Sequence, residues 1–419
     1  MAATVSHFVK RCTQYLIFLI ITWLLFNCIF FLGTHPTKVI DVLFQRLFLY
    51  VWHTISSVPL RDFMVFGFLT GLAGFLVYLP NIVLLFFFSH VLYESGLTAK
   101  AAKLLDPFFR LFGLNGYSFP PLLFGFGCSV NALHSAHDIR NRKTRLLTML
   151  IAPFMSCGSK FAVYVLLISV VFRPAIAGSV MFVLYLTGIL VSLLSVCLFR
   201  CVLGIQKDET HEDIPSSPLK KPDFLSIIKK TCRDGWIFCK KAGSVIVIAS
   251  VIIWAFSYLP GVSQKKYDEL AQYAQETGQY LPSRITLSFH TSYFARFGHL
   301  IEPVFRPLGQ DWKNSVAIIS SVAGRGIIIS TLITAYGIEY SPEGKKTLAK
   351  ALQADKTFSK LSAMALMLFV LLCGSCLASV TMFYHETKSI KLTVLFACYP
   401  VVIAWIFSTL FYQIGRVVM

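Results

Sequence analysis

The sequence predicts an all-α polytopic membrane protein of about seven to nine spanning or re-entrant helices, built from two similar, inverted halves. Composition is the first reason: 56% of the 419 residues are hydrophobic and 14% are charged, against about a quarter charged in a soluble domain. The second is that apolar runs recur at the roughly 20 residues a helix needs to cross a bilayer. Lipid leaves no partner for an unpaired backbone group, so such runs are helices. The third is a pair of motif sets that repeats in the same order along the chain.

A net charge of +18 raises nucleic acid as a partner. The basic residues stand in short clusters between apolar runs, as the positive-inside rule predicts, so the expected partner is the lipid bilayer and not nucleic acid. Cys28, Cys197 and Cys373 fall inside apolar runs, where a free buried thiol is the ordinary state. No spacing gives a disulfide framework or a zinc pair.

Taken in order, Lys10 and Arg11 precede an apolar run that reads as a retained first span over 13–33. Residues 36–60 mix Arg46, Tyr50, Trp52 and apolar side chains and read as an interfacial helix; together 1–60 form an N-terminal unit. The run 63–92 is interrupted at Tyr78-Leu79-Pro80-Asn81, because Pro80 removes a backbone donor. Residues 97–117 are amphipathic, and a Pro120-Pro121 segment leads to a basic loop, 137–145, expected in the cytoplasm. Runs 146–172 and 177–203 form a hairpin and close a first half, 61–204. Residues 205–242, with Pro215 and Pro218, read as a cytoplasmic linker. The second half, 243–419, has spans at 243–259, 361–383 and 391–413, a shorter run at 315–336 and an extramembrane loop at 260–298. No phosphate-binding loop is present: Pro342-Glu343-Gly344-Lys345-Lys346-Thr347 lacks the first glycine. No enzyme chemistry is indicated by any nucleophile–base pair.

The repeat aligns Asp106-Pro107, Phe109, Arg110 and Gly113 with Glu302-Pro303, Phe305, Arg306 and Gly309, 196 residues on. Each copy reads as an acidic-Pro turn. Tyr78-Leu79-Pro80 has a partner in Tyr258-Leu259-Pro260, and Ser156-Cys157 in Ser375-Cys376. Counting spans sets the two copies in opposite senses, the sequence mark of transporters whose site lies near the midplane.

These motifs resemble the membrane portion of FeoB-type ferrous iron transporters, with its paired Gate segments, over about residues 40–413. The matching stretches are Leu79-Pro80-Asn81-Ile82, Glu94-Ser95-Gly96, Gly125-Phe126-Gly127-Cys128, Pro153 to Cys157, Glu302-Pro303, Asp311-Trp312-Lys313, Ser330-Thr331-Leu332, and Cys376 with Glu386-Thr387. The family's Gly-Cys-Asn-Val-Pro stands here as Gly127-Cys128-Ser129-Val130-Asn131, its Cys-Ser-Ala-Arg as Cys157-Gly158-Ser159-Lys160, and its Ala-Lys-Glu as Gly324-Arg325-Gly326, which loses a carboxylate. The resemblance implies Fe(II) as transported substrate, no permanently bound cofactor, a multi-pass place in the cell inner membrane, and a G domain or FeoA-like protein as partner. The G domain, N-terminal in the family, is not within this sequence. A homo-oligomer is a further assembly left open.

A ferrous ion that crosses lipid must exchange water for protein ligands, and thiols and imidazoles suit a first-row ion. The candidate ligands are Cys128, Cys157 and Cys376, at small-residue or broken segments, with His134, Glu94 and Asn81. Each has an ordinary alternative: a buried thiol, a surface imidazole, an acid paired with Lys100 or Lys103, and an amide that caps the helix after Pro80. Lys160 and Arg325 are cations within membrane segments, costly unless paired; Glu302 or Glu94 is a candidate partner for Arg325. In a cation path they argue for a gate or for an anionic or nucleoside-like solute. The third alternative is a scaffold or regulator that transports nothing.

Overall fold

The computed structural model describes residues 2–205, 220–262, 264–277, 284–338, 344–355 and 357–418. Every regular element among them is helical. Helix α1 (Ala2–Thr54) leads to α2 (Val58–Asp62), a π-helical stretch Phe63–Leu69 and α3 (Thr70–Leu76), then bends into α4 (Leu79–Glu94). The bend falls where the sequence puts it, with Pro80 in the first turn of α4, a position whose amide needs no helical partner. Helix α5 (Leu97–Phe112) lies between two left-handed glycines, Gly96 at φ 76° and Gly113 at φ 78°. Helices α6 (Phe119–Gly125) and α7 (Ser129–Ala136) fold back on each other as a hairpin. Asn141 then caps α8 (Arg142–Ile151), accepting from the amides of Lys143 and Thr144 at 2.9 and 3.1 Å. A 3-10 turn and an extended Met155–Cys157 segment separate α8 from α9 (Gly158–Val171). Helix α10 (Ala177–Leu203) runs back unbroken.

The second half repeats this order. Helix α11 (Phe224–Phe238) passes through a π-helical turn into α12 (Ser244–Tyr258), followed by α13 (Gln264–Thr277) and α14 (Arg284–Thr291). Then α15 (Tyr293–Phe305) ends near Gly309 at φ 70°, the counterpart of Gly113. Helices α16 (Trp312–Ser320) and α17 (Ile327–Ala335) form a second hairpin. After α18 (Gly344–Ala354), α19 (Lys360–Leu372) and α20 (Leu377–Thr387) form a second broken span, and α21 (Ile390–Val418) is the unbroken return. Each half thus holds an amphipathic helix, a hairpin, a broken span and a continuous span. Among the described residues, five helices are long and apolar enough to cross a membrane, Pro59–Glu94, Arg142–Val171, Ala177–Val202, Lys360–Thr387 and Ile390–Val418, with Ser244–Tyr258 a shorter apolar helix.

The halves share one core. Leu147, Phe154 and Leu167 from the first pack with Ile318, Leu332, Phe369 and Phe396 from the second. The outer faces of α10 and α21 leave Phe182, Leu194 and Leu410 exposed, an arrangement that suits lipid and not water.

Several expectations are corrected. Residues 36–60 are not a separate interfacial helix: α1 continues through Pro36 to Thr54. Buried Ile29, Phe44 and Val51 lie on both sides of the proline, so packing against α4 and the π-helical stretch holds the two parts on one axis. Asp106-Pro107 and Glu302-Pro303 lie inside α5 and α15 and not at turns; the chain turns later, at Gly113 and Gly309. Residues 224–242, within the segment read as a linker, are helical, and an amphipathic face with Ile227, Asp234 and Phe238 buries against the first half. Residues 206–219, with Pro215 and Pro218, lie outside the described residues, as does part of the look-alike phosphate loop. The stretch 260–298 is no open loop, because α13, α14 and the start of α15 lie within it.

Candidate functional site

The site is built from four interruptions. Each hairpin tip docks onto a broken span by one backbone bond, and the bond is the same in both halves. The Gly158 amide, which opens α9, donates to the Gly127 carbonyl at 3.2 Å; the Leu377 amide, which opens α20, donates to the Val322 carbonyl at 2.9 Å. This pairing is the structural form of the repeat.

Cys128, Cys157 and Cys376 hold equivalent places in this frame. Each is the extended residue immediately before a restarting helix: Cys128 before α7, Cys157 before α9 and Cys376 before α20. All three are partly buried, and Cys157 and Cys376 lie within electrostatic reach of Cys128. Cys157 Sγ is 3.2 Å from Ser159 Oγ, while the Cys376 amide donates to Ser379 Oγ at 3.0 Å. The fourth restart, α17, has no thiol; Arg325-Gly326 stands there.

Broken helices free carbonyls that lipid cannot satisfy, and two cations take them up. Lys160, fully buried, donates from Nζ to the carbonyls of Pro153 at 3.0 Å and Leu371 at 2.7 Å. Arg325, 2% exposed, donates to the Ser375 carbonyl at 2.7 Å and Ser321 Oγ at 3.0 Å, with Cys373 Sγ at 3.6 Å. Arg325 therefore pairs with neither Glu302 nor Glu94; Glu302 lies against His299, 3.6 Å away on α15. Both cations replace missing helical donors, which removes their support for an anionic solute.

His134 leads to residues the sequence reading missed. Its Nε2 lies 3.3 Å from Asp234 Oδ2, and His90 Nε2 lies 3.0 Å from the same oxygen. Arg233 holds the other oxygen at 3.2 Å. Burial pushes the Asp234 carboxyl up, but the bonds from His134, His90 and Arg233 outweigh it and hold it well below the usual carboxylate range. A mainly apolar cavity of ≈ 30 Å³ is lined by Phe86, Val130, Phe238 and Ala378, with His134 and Asp234 also in its wall. It thus reaches from the neighbours of Cys128 and Cys376 to the His–Asp pair. His90 was legible as an ionisable group inside an apolar run; Asp234 was hidden in a segment read as linker.

Two further candidate ligands have other contacts. Glu94 pairs with Lys230 at 2.7 Å and accepts from Ser226 at 3.0 Å, not with Lys100 or Lys103, since α11 packs beside the end of α4. Asn81 faces α1, where Gly33 has no side chain to displace its amide; its buried Oδ1 has no hydrogen-bond partner among the described residues. Among the described residues, no three His, Cys, Asp or Glu side chains group as a metal-holding set.

Residues 75–170 and 239–390 match the Gate family, described as nucleoside recognition. The chain is similar to the Fe(2+) transport protein A/Fe(2+) transporter FeoB fusion protein of Porphyromonas gingivalis, 32% identical over 98% of this chain and 51% of that protein. It is similar to the Fe(2+) transporters FeoB of Campylobacter jejuni, 31% identical over 96% of the chain and 63% of the relative, and Leptospira biflexa, 29% identical over 96% and 57%. The chain therefore spans between half and two thirds of the length of these relatives. No solved structure matches it.

Proposed function

The chain belongs to the Gate family as a member of FeoB type, and we propose that it is a permease for a divalent metal, Fe(II), in the cell inner membrane. One observation carries the reading: the three motif thiols occupy equivalent restart positions at the hairpin tip and the two broken spans. Interrupted helices of this kind present backbone and side-chain donors to a solute near the bilayer midplane. Thiols are the donors that favour a first-row metal over Mg²⁺ or Ca²⁺. In this reading the ion passes Cys128, Cys157 and Cys376, then the cavity beside His134, His90 and Asp234. The two halves act as an inverted pair around that path. Glu94, paired with Lys230, and Asn81, facing α1, are left outside the proposed path.

No phosphate loop lies in these 419 residues, so any nucleotide hydrolysis that drives the passage comes from outside them. A FeoA-like protein is a proposed partner, supported by the fusion of the two in the P. gingivalis relative.

The test is Fe²⁺ influx into proteoliposomes that contain an iron-quenched dye. Cys128→Ser and Cys376→Ser should each remove most of the influx while the protein still folds and inserts. Influx unchanged in both would overturn the thiol path; absence of influx from the unaltered chain, with its G-domain and FeoA-like partners supplied, would favour a scaffold.

A further inference from the structure

Among the described residues, Lys160 is the one cation whose ammonium bridges the two halves through backbone alone. It lies on α9 in the first broken span and reaches the Leu371 carbonyl at the end of α19 in the second. Its other bond is to the Pro153 carbonyl, left free where the first span breaks. Among the described residues no carboxylate forms an ion pair with it. A buried ammonium held by carbonyls alone has the surroundings of a bound alkali ion: hard oxygen donors at the ends of broken helices. In transporters built from interrupted helices, such carbonyls are where a coupling cation binds.

We propose that the crossing of the two broken spans is a monovalent-cation site, occupied by the chain's own Lys160 ammonium. The charge that other carriers take from solution is here covalently attached. The two carbonyls are satisfied without Na⁺ or K⁺ from solution. The inference concerns the crossing point and holds whether or not iron is the solute.

The experiment reads thermal melting of the purified full chain in detergent, in sodium, potassium, ammonium, methylammonium or choline chloride at equal ionic strength. The unaltered protein should melt at one temperature in all five salts. Lys160→Ala opens the site, so it should melt lower in choline and recover along a saturating curve as ammonium or potassium is added. Lys160→Met fills the same space without charge; it should melt lower and respond to none of the salts. Equal indifference of K160A and K160M to every cation would overturn the proposal. So would a saturable alkali-ion response of the unaltered protein, an arm that stands even if K160A does not fold. These melts use no iron, so their failure is distinct from failure of the iron-transport reading.

Discussion

Gly374 lies against the carbonyl of Pro153, and the two broken spans cross there with no room for a Cβ between them. The contact joins the two halves at the centre of the site. Gly374→Ala forces backbone against backbone, and overpacking of this kind costs about 1–3 kcal/mol. We expect a lower melting temperature and loss of solute transport. Gly178→Ala, in α10 where nothing lies within 4 Å of the added methyl, should leave both unchanged.

The three thiols should respond to one metal together. In a variant that keeps Cys128, Cys157 and Cys376 together and has serine at the other cysteines, maleimide labelling of all three should slow when Fe²⁺ or Cd²⁺ is present. Mg²⁺, which prefers oxygen ligands, should not slow it. Equal labelling with and without Fe²⁺ at all three positions argues against a shared path.

Arg325 satisfies the Ser375 carbonyl and Ser321 hydroxyl from a buried position. Arg325→Met leaves the Ser375 carbonyl unpaired, at about 1–3 kcal/mol for a buried group, while the Ser321 hydroxyl keeps its bond to the Ile318 carbonyl. The expected result is a large drop in thermal stability, part of which Arg325→Lys recovers because a single ammonium reaches fewer acceptors than the guanidinium fork. A variant as stable as the parent would remove the capping role.

Asp234 ties α11 to His90 on α4 and His134 on α7. Its folded carboxyl titrates below the unfolded one, so its contribution is fully present above the unfolded value of about 3.9 and is lost as pH falls through the lower folded value. Melting curves taken at decreasing pH should show an acid-side loss that Asp234→Asn lacks. At neutral pH that variant should be less stable by about 1.5–3 kcal/mol, the range for a hydrogen bond to a charged group. The same variant should slow influx if the cavity beside Asp234 belongs to the path.

Glu94 and Lys230 are both partly open to solvent, at 20% and 45% exposed. Such a pair contributes about 0–1 kcal/mol. Glu94→Gln should therefore change stability within that range and leave iron influx close to the parent. A loss of influx comparable to Cys128→Ser would return Glu94 to the ligand set.

The sequence by itself determined the solvent and the periodicity. Uninterrupted apolar runs can only be helices in lipid, and the proline at residue 80 fixed one bend through local sterics. It also marked the repeat and the three thiols, because small residues next to a cysteine inside an apolar run are a local signal. Only the tertiary structure decided what the cations do. Lys160 and Leu371 are 211 residues apart, and no local pattern tells that a charge in a span will be spent on carbonyls freed by another span's break. The same holds for Asp234, whose imidazole partners lie in the other half, and for α1, which continues through Pro36 because neighbours on both sides of the proline hold its axis. The equivalence of Cys128, Cys157 and Cys376 lies between these cases. Their positions were legible one by one, but that each precedes a restarting helix at a docked interruption became visible only when the hairpin tips met the broken spans.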